Sequence, residues 1–146
     1  MPSSVPGFAE LLGQCERSDW EDRESWWHPY DQLTTDAVAR GVTIRRARVI
    51  SEPVSDYIRW EHYVTRANVT AGEEVRWLPR RQATRIPLPG NDFWLFDGVL
   101  LRGHHFSGDG VVVEDEITAD PEAVKLCSAG FEAVWEQAIP HHLYKI

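Results

Sequence analysis

Apolar residues recur at helical spacing in four stretches of this 146-residue chain. The longest lies in the middle of the chain, and five residues mark its apolar face: Tyr57, Trp60, Val64, Ala67 and Ala71. Pro53 suits the first turn of this central helix, and Gly72 suits its end, where a left-handed residue is needed. A second face is basic and carries Arg59, His62 and Arg66. The pattern predicts a central helix over residues 53–71.

Three shorter patterns predict further helices. The first covers residues 8–15, and the second covers residues 30–40 with Leu33 and Ala37 facing inward. The last covers residues 121–139 and contains Gly130. Glycine costs about 1 kcal/mol relative to alanine inside a helix, so its presence there indicates close packing against a neighbouring element.

Runs of β-branched and aromatic residues predict five strands. They cover residues 42–50, 73–80, 93–96, 99–106 and 111–113. The run Phe93–Phe96 is apolar without alternation, which predicts a strand buried on both faces. Asp97-Gly98 is a strong tight-turn signal, so the last three strands are predicted to form a meander.

The order of these elements predicts the mixed α/β class. We expect a single compact domain over residues 1–146, a length typical of one domain. Its core would be one mostly antiparallel or mixed sheet of about five strands, packed by the central helix and the C-terminal helix. Residues 1–40 would form a helical and aromatic N-terminal segment, and residues 41–142 the α/β core.

Composition favours a cytoplasmic globular protein. Apolar residues make up 42% of the chain and charged residues 26%, which is ordinary for a folded domain. No apolar run approaches the ~18 residues that cross a bilayer, and the first ten residues lack a secretory pattern. Cys15 and Cys127 are too few and too far apart for a disulfide framework, so a reduced setting is expected.

The net charge of −8 hides an uneven distribution. Residues 40–86 carry ten arginines and five acidic residues, whereas both flanking stretches are acidic. The basic middle is either paired internally or available to an anionic partner. Direct binding of nucleic acid is not expected, because phosphates repel an acidic protein.

Three tryptophans near the start of the chain stand among charged residues. They are Trp20, Trp26 and Trp27. Large rings in such a loop either pack down onto the domain as anchors or form an exposed binding surface.

The histidines and cysteines predict neither a metal site nor a cofactor. His104 and His105 are adjacent on a predicted strand, so their side chains leave opposite faces and cannot share a metal. His141 and His142 are expected in a flexible segment, and His62 is isolated in sequence. No GxSxG, P-loop or GxGxxG motif occurs, and we assign no catalytic residue.

The arginines and tryptophans of the centre are the candidates for binding. We predict a ligand- or partner-binding site composed of Arg59, Trp60, Arg80, Arg81, Asn91, Asp92 and Trp94. Guanidinium groups offer forked donors to carboxylate or phosphate, and indole rings offer a stacking face. The alternative is that the arginines pair with nearby acidic residues and hold the sheet together.

Several long runs resemble an actinobacterial family known as domain of unknown function 6879. They are RRARVISEPVSDYIRWEH, AGEEVRWLPRR, LPGNDFWLFDG, FSGDG and DPEAVKLCSAGFEAVWEQAIPH. The resemblance covers residues 41–142. It implies a small regulatory accessory protein, because members are often encoded beside helix-turn-helix regulators, but it implies no established activity. This chain departs from the pattern near its start, where relatives have a longer segment.

A more distant similarity is to one half of the phospholipase D-like fold. Its signs are a strand that ends in Asp97-Gly98 and a late helix with Phe131 and Trp135. Gly90 and Asp92 stand where active members carry histidine and lysine. The similarity implies a relative of that fold without its catalytic motif.

The leading hypothesis is a non-enzymatic accessory or sensor domain. It would work with a helix-turn-helix transcriptional regulator and bind that protein or a small anionic ligand. The alternative is an enzyme that acts on a phosphate-bearing substrate through an unrecognised site.

Overall fold

The computed structural model describes residues 7–16 and 19–146, so the predicted segment 1–40 is described in part. Four α-helices are present in these residues: α1 (Phe8–Glu16), α2 (Pro29–Ala39), α3 (Asp56–Ala71) and α4 (Pro121–Gln137). The six strands are β1 (Arg45–Ile50), β2 (Glu74–Pro79), β3 (Asp92–Phe96), β4 (Leu100–Phe106), β5 (Val112–Thr118) and β6 (Ile139–Pro140). The mixed α/β class is confirmed.

The chain divides into two compact units. The first unit comprises Met1–Arg81 and Ala138–Ile146, and the second unit comprises Gln82–Gln137. The strands form two three-stranded sheets, in the orders β1-β2-β6 and β3-β4-β5. The prediction of about five strands is close to the six observed, but the prediction of one sheet was wrong. It missed the two-residue strand β6, and it joined strands whose connecting link is interrupted by Pro87 and Pro89.

The first unit contains a β1-α3-β2 crossover. Strands β1 and β2 run parallel, and β6 pairs antiparallel with β2. Ser55 caps α3 by accepting a hydrogen bond from the backbone N–H of Ile58 (3.2 Å), and Gly72 closes the helix with φ 112°. Pro53 therefore precedes the helix rather than occupying its first turn. The end predicted at Gly72 is confirmed.

The apolar core of the first unit lies against its sheet. One cluster of buried residues in this core consists of Ile50, Val75, Trp77 and Tyr144. Trp77 is completely buried. The second predicted helix is confirmed as α2, in which Ala37 is partly buried, but the inward position of Leu33 was wrong, since Leu33 is 68% exposed and Thr34 is buried.

The second unit is the predicted meander with α4 packed on one side. Strands β3, β4 and β5 are antiparallel, and a turn with positive φ at Asp97 and Gly98 joins the first two. Leu101 packs on the buried residues of α4. The close contact predicted at Gly130 is confirmed, because a Cβ there would lie 3.0 Å from Cδ of Pro89.

Candidate functional site

The predicted site residues fall in both units. Arg59, Trp60, Arg80 and Arg81 belong to the first unit, and Asn91, Asp92 and Trp94 belong to the second.

In the first unit, two of the predicted residues are engaged in structural contacts. Arg80 donates from Nε to Oγ of Ser51 (3.2 Å) and from its terminal nitrogen to the carbonyl of Val49 (3.1 Å). These bonds tie the residue after β2 to the end of β1. The ring of Trp60 packs against Phe8 with centroids 5.8 Å apart, so it anchors α1. Arg59 is exposed.

Two of the three arginines of β1, Arg46 and Arg48, lie on the same face of the strand, beneath α3. Arg46 donates from Nε to the carboxylate of Glu73, whose side chain is fully buried. The same carboxylate accepts hydrogen bonds from Tyr30 and Asn68, each at 3.1 Å. Burial acts to lower the pKa of Arg46, but Glu73 and Tyr30 outweigh it and the pKa is raised. Arg46 is therefore paired internally, which is one of the two alternatives given for the basic residues 40–86.

Arg48 is paired less completely. Its terminal nitrogen lies 3.0 Å from Glu61 on α3, and its guanidinium carbon lies 5.5 Å from the centre of the Trp77 ring. Its Nε is buried and has no hydrogen-bond partner among the described residues. Burial lowers the pKa of Arg48, and the contact with Glu61 only partly offsets this effect.

Two histidines meet on the core of the first unit. The ring centres of His62 on α3 and His141 after β6 are 4.7 Å apart. Nε2 of His62 lies 3.0 Å from the carbonyl of Tyr144, and Nε1 of Trp77 donates to Nδ1 of His141 over 3.0 Å. The ring of Tyr144 stacks on Trp77 at 5.8 Å, and its hydroxyl donates to Glu52 over 2.8 Å. The prediction of a flexible segment at His141 was wrong.

These hydrogen bonds fix the tautomers of the two neutral rings. His141 accepts at Nδ1, so its proton lies on Nε2, and His62 donates from Nε2, so its lone pair lies on Nδ1. The pair offers one donor and one acceptor rather than two lone pairs for a metal. Within residues 7–16 and 19–146, no group of three histidine, cysteine or acidic side chains is arranged to hold a metal ion.

Burial keeps this cluster neutral at pH 7. Burial lowers the pKa of His62 against the raising effect of the Tyr144 carbonyl. Burial, and then the positive charges of His62, His142 and Lys145, lower the pKa of His141 to about 4. Burial and the adjacent Glu52 raise the pKa of Tyr144 to about 12. The arrangement is a neutral hydrogen-bonded packing cluster in which acidification adds charge.

In the second unit, the sheet has one face without a helix. Phe93 and Leu95 pack with the α4 side, so the alternation of β3 points Asp92, Trp94 and Phe96 to the other side. We call this other side the open face. It consists of Asp92, Trp94, Phe96, Leu100, Arg102, His104, Asp115 and Ile117, by strand register.

The open face combines exposed apolar groups with a fixed ion pair. Phe96 is 45% exposed and Ile117 is 66% exposed. Asp115 accepts from Arg102 at 2.5 Å and contacts Nδ1 of His104 at 2.6 Å. Hydrogen bonds from these two groups hold the pKa of Asp115 below its ordinary value. The prediction that Phe93–Phe96 is buried on both faces was therefore wrong.

The neighbouring edge strand is acidic. Glu114, Asp115 and Glu116 follow one another on β5, which lies at the edge of the sheet. His105 contacts Glu116 at 3.1 Å, on the side opposite His104, as predicted for adjacent residues of a strand. Residues 82–137 carry three basic and ten acidic side chains, a net charge of −7 out of the −8 of the whole chain.

The tryptophans near the start of the chain are anchors. Nε1 of Trp20 donates to Tyr63 (3.1 Å), Nε1 of Trp26 to the carbonyl of Trp20 (3.1 Å), and Nε1 of Trp27 to Gln32 (2.9 Å). Partly buried indoles whose N–H groups are satisfied within the domain are typical of packing. These contacts support anchoring over an exposed binding surface.

Comparison with known proteins gives a family and no described activity. The family described as Domain of unknown function (DUF6879) matches residues 4–146. The chain belongs to the DUF6879 family. Searches of curated proteins and of solved structures found no significant match. The phospholipase D-like resemblance of this DUF6879 chain therefore stays a prediction.

Sequence reasoning found part of the open face of the DUF6879 chain. The run LPGNDFWLFDG supplies β3, and with it Asp92 and Trp94, which strand register places on the same face. Sequence reasoning missed Arg102, Asp115 and Ile117, which join this face only through strand register. Alternation within β4, counted from the turn at Asp97-Gly98, was the available signal for Arg102, but the turn before β5 and the register shift at His105 and Phe106 end that count before Asp115 and Ile117.

Proposed function

We propose that this DUF6879 protein is a non-enzymatic accessory or sensor domain that binds a basic surface of a protein partner through its open face. The observation that supports the proposal is the exposure of Phe96 and Ile117 beside the Arg102–Asp115 ion pair. Contiguous exposed apolar patches rimmed by polar residues mark interaction sites in soluble proteins.

The residue types on the open face suit a protein interface. Aromatic residues and arginine are enriched at the centres of such interfaces, where they provide most of the binding energy. Trp94 and Arg102 face each other in the strand register, and Phe96 lies on the next row. Arg102 is already held by Asp115, so little conformational entropy is lost when a partner covers it.

The charge of the second unit indicates the partner's chemistry. Its net charge of −7 and the run Glu114-Asp115-Glu116 would repel nucleic acid and attract a basic protein. The resemblance to proteins encoded beside helix-turn-helix regulators supplies the partner class. We therefore propose a helix-turn-helix transcriptional regulator as the protein that covers the open face.

The other partner and site predictions gain no support from these contacts. A small anionic ligand near Arg59, Arg80 and Arg81, and an enzyme acting on a phosphate-bearing substrate, both stay predictions. A cytoplasmic location also stays a prediction. Among the described residues, every helix is too short or too polar to cross a bilayer.

The test uses the purified helix-turn-helix regulator from the neighbouring gene, with binding measured by biolayer interferometry. The double substitution Phe96→Ser with Ile117→Ser should weaken binding by about 30-fold or more, because each removes an exposed apolar contact. Leu126→Ser is the matched control, since Leu126 is 59% exposed on α4 and away from the open face. Its affinity should equal that of the wild type.

Salt supplies a second readout of the same complex. Raising the salt concentration should slow association and leave dissociation nearly unchanged, as expected for electrostatic steering by an acidic surface. Absence of binding at micromolar concentration would remove the regulator as partner. Equal losses in the open-face and Leu126 variants would remove the open face as the binding site.

A further inference from the structure

The segment His141–Ile146 packs against the rest of the first unit through a backbone hydrogen bond and through contacts with the ring of Trp77. The backbone N–H of His141 donates to the carbonyl of Val75 over 2.9 Å. Tyr144 is 4% exposed and stacks on Trp77, with ring planes 13° apart. Covering Trp77, which is itself completely buried, is the main packing role of this segment.

The two histidines respond differently to a proton. Protonation of His62 at Nδ1 leaves its Nε2–H bonded to the carbonyl of Tyr144. Protonation of His141 places a hydrogen on Nδ1, where Trp77 now donates. Two donors would then face each other, and a charged ring would lie 4.7 Å from His62. The contact between Trp77 and His141 is therefore available only while His141 is neutral.

The charged groups around the cluster do not favour protonation. Glu52, after β1, accepts from Tyr144, and Glu61 on α3 pairs with Arg48, which lies over Trp77. Lys145 and His142 belong to the segment itself, and both act to lower the pKa of His141. Among the described residues of this cluster, the two carboxylates thus contact groups other than the imidazoles.

We propose that His141–Ile146 is a pH-operated latch, which is closed over Trp77 while His141 is neutral and which protonation of His141 opens. The latch goes beyond the proposed function, because it concerns the first unit and needs no partner. Opening would expose Trp77 and the apolar core around it, which gives the domain a means of sensing acidification.

The direction of the pH effect follows from the histidines. A histidine whose pKa is lower in the folded protein contributes most to stability above its unfolded pKa of 6.5 and loses that contribution as the pH falls. The folded pKa of His141 is about 4, so the loss runs from pH 6.5 down to about 4. Between these pH values, the equilibrium constant for opening of the segment His141–Ile146 should rise about tenfold for each unit by which the pH falls.

The test is hydrogen exchange measured by mass spectrometry on the full chain, with rates divided by the intrinsic rate at each pH. In the wild type, protection of residues 141–146 should fall about tenfold per unit between pH 6.5 and pH 4.5. Protection of β5 in the second unit should stay constant over this range, which separates local opening from global unfolding.

His141→Asn is the decisive variant, because the amide oxygen can accept the Trp77 hydrogen bond but cannot be protonated. Its protection should be nearly independent of pH. Tyr144→Phe keeps both histidines and loses only the bond to Glu52, so its protection should be lower at every pH with the wild-type slope. Equal slopes in the wild type and His141→Asn, or constant protection in the wild type, would overturn the latch.

A second measurement covers the case in which His141→Asn does not fold. The imidazole of His141 in the wild type is then titrated by NMR. A midpoint near 4, at the lower end of the pH range over which protection is lost, supports the latch, and a midpoint near the ordinary histidine value of about 6.5 contradicts it.

Discussion

The two sheets place arginine in opposite surroundings. Arg46 on β1 points beneath α3 and meets Glu73, whose carboxylate is fully buried and accepts from two further side chains. Arg102 on β4 points to a face without a helix and meets Asp115 while its side chain remains 47% exposed. Arginine is therefore part of a core in the first unit and part of an exposed surface in the second.

The difference shows that helix coverage, rather than charge pattern, decides what an arginine on a strand does. A buried ion pair is costly to break because the remaining charge is left without water. An exposed pair is screened by solvent and contributes little to stability. The inward pair therefore matters for folding, and the outward pair is available for recognition.

The largest effect is expected for Glu73→Gln. The amide has one oxygen and one NH2 group, so it would direct N–H groups either at Arg46 or at both Tyr30 and Asn68. In either orientation Arg46 would lose its counter-ion. We expect a loss of about 3–5 kcal/mol in the free energy of unfolding. Urea denaturation followed by circular dichroism measures it.

Asp115→Asn is the matched control for that variant. It removes the corresponding carboxylate on the open face, and the unfolding midpoint should move very little. Equal losses of unfolding free energy in the two variants would show that helix coverage does not decide how much an arginine ion pair contributes to stability.

The packing of α4 against the link that precedes β3 is tested by Gly130→Ala. A new Cβ would lie 3.0 Å from Cδ of Pro89 and 3.4 Å from the carbonyl of Pro87. Overpacking costs about 1–3 kcal/mol, and the gain in helix propensity returns about 1 kcal/mol. We expect a net destabilisation of about 1 kcal/mol. A more stable variant would show that α4 packs more loosely than described.

Arg48 lies on the same strand as Arg46 but is paired less completely. Because its Nε is buried without a partner, the ion pair with Glu61 is incomplete. Replacing both residues, by Arg48→Met with Glu61→Leu, should change stability by about 1 kcal/mol or less, and stabilisation is an acceptable result. A loss as large as that of Glu73→Gln would place Arg48 in the same class as Arg46.

The smallest effect on stability is expected on the open face. Ile117→Ser removes a side chain that is already 66% exposed, so the unfolding free energy should change by about 0.5 kcal/mol or less. Thermal unfolding of this variant and the wild type measures it. A loss above about 1 kcal/mol would mean that Ile117 packs in the fold and is unavailable to a partner.

Local signals predicted much of the fold. The left-handed residue at Gly72, the turn at Asp97-Gly98 and the close contact at Gly130 each depend on a few neighbouring residues. The meander and the four helices follow from such signals as well. The sequence pattern did not show which side of a helix or strand is covered by another element.

Leu33 and Phe96 illustrate that limit. Leu33 has the spacing of an inward residue but is exposed, while Thr34 is buried beside it. Phe96 completes an apolar run, yet its strand is covered on one side only. Coverage depends on tertiary packing, which hydrophobic periodicity does not encode.

The histidine cluster was beyond local reasoning for a different reason. Trp77 and His141 are separated by 64 residues, and no motif joins them. The pairing arises because β6 lies beside β2, and β6 contains a proline and has only two residues. A strand that short gives almost no signal in a sequence pattern.

Strand β6 also sets the order in which a nascent chain can be completed. Trp77 leaves the ribosome 64 residues before His141, and all of Gln82–Gln137 emerges between them. The meander and its helix are contiguous, so they can fold while the earlier sheet still lacks its third strand and the ring that shields Trp77. During translation, the first unit begins to be synthesised before the second unit but can be completed only after it.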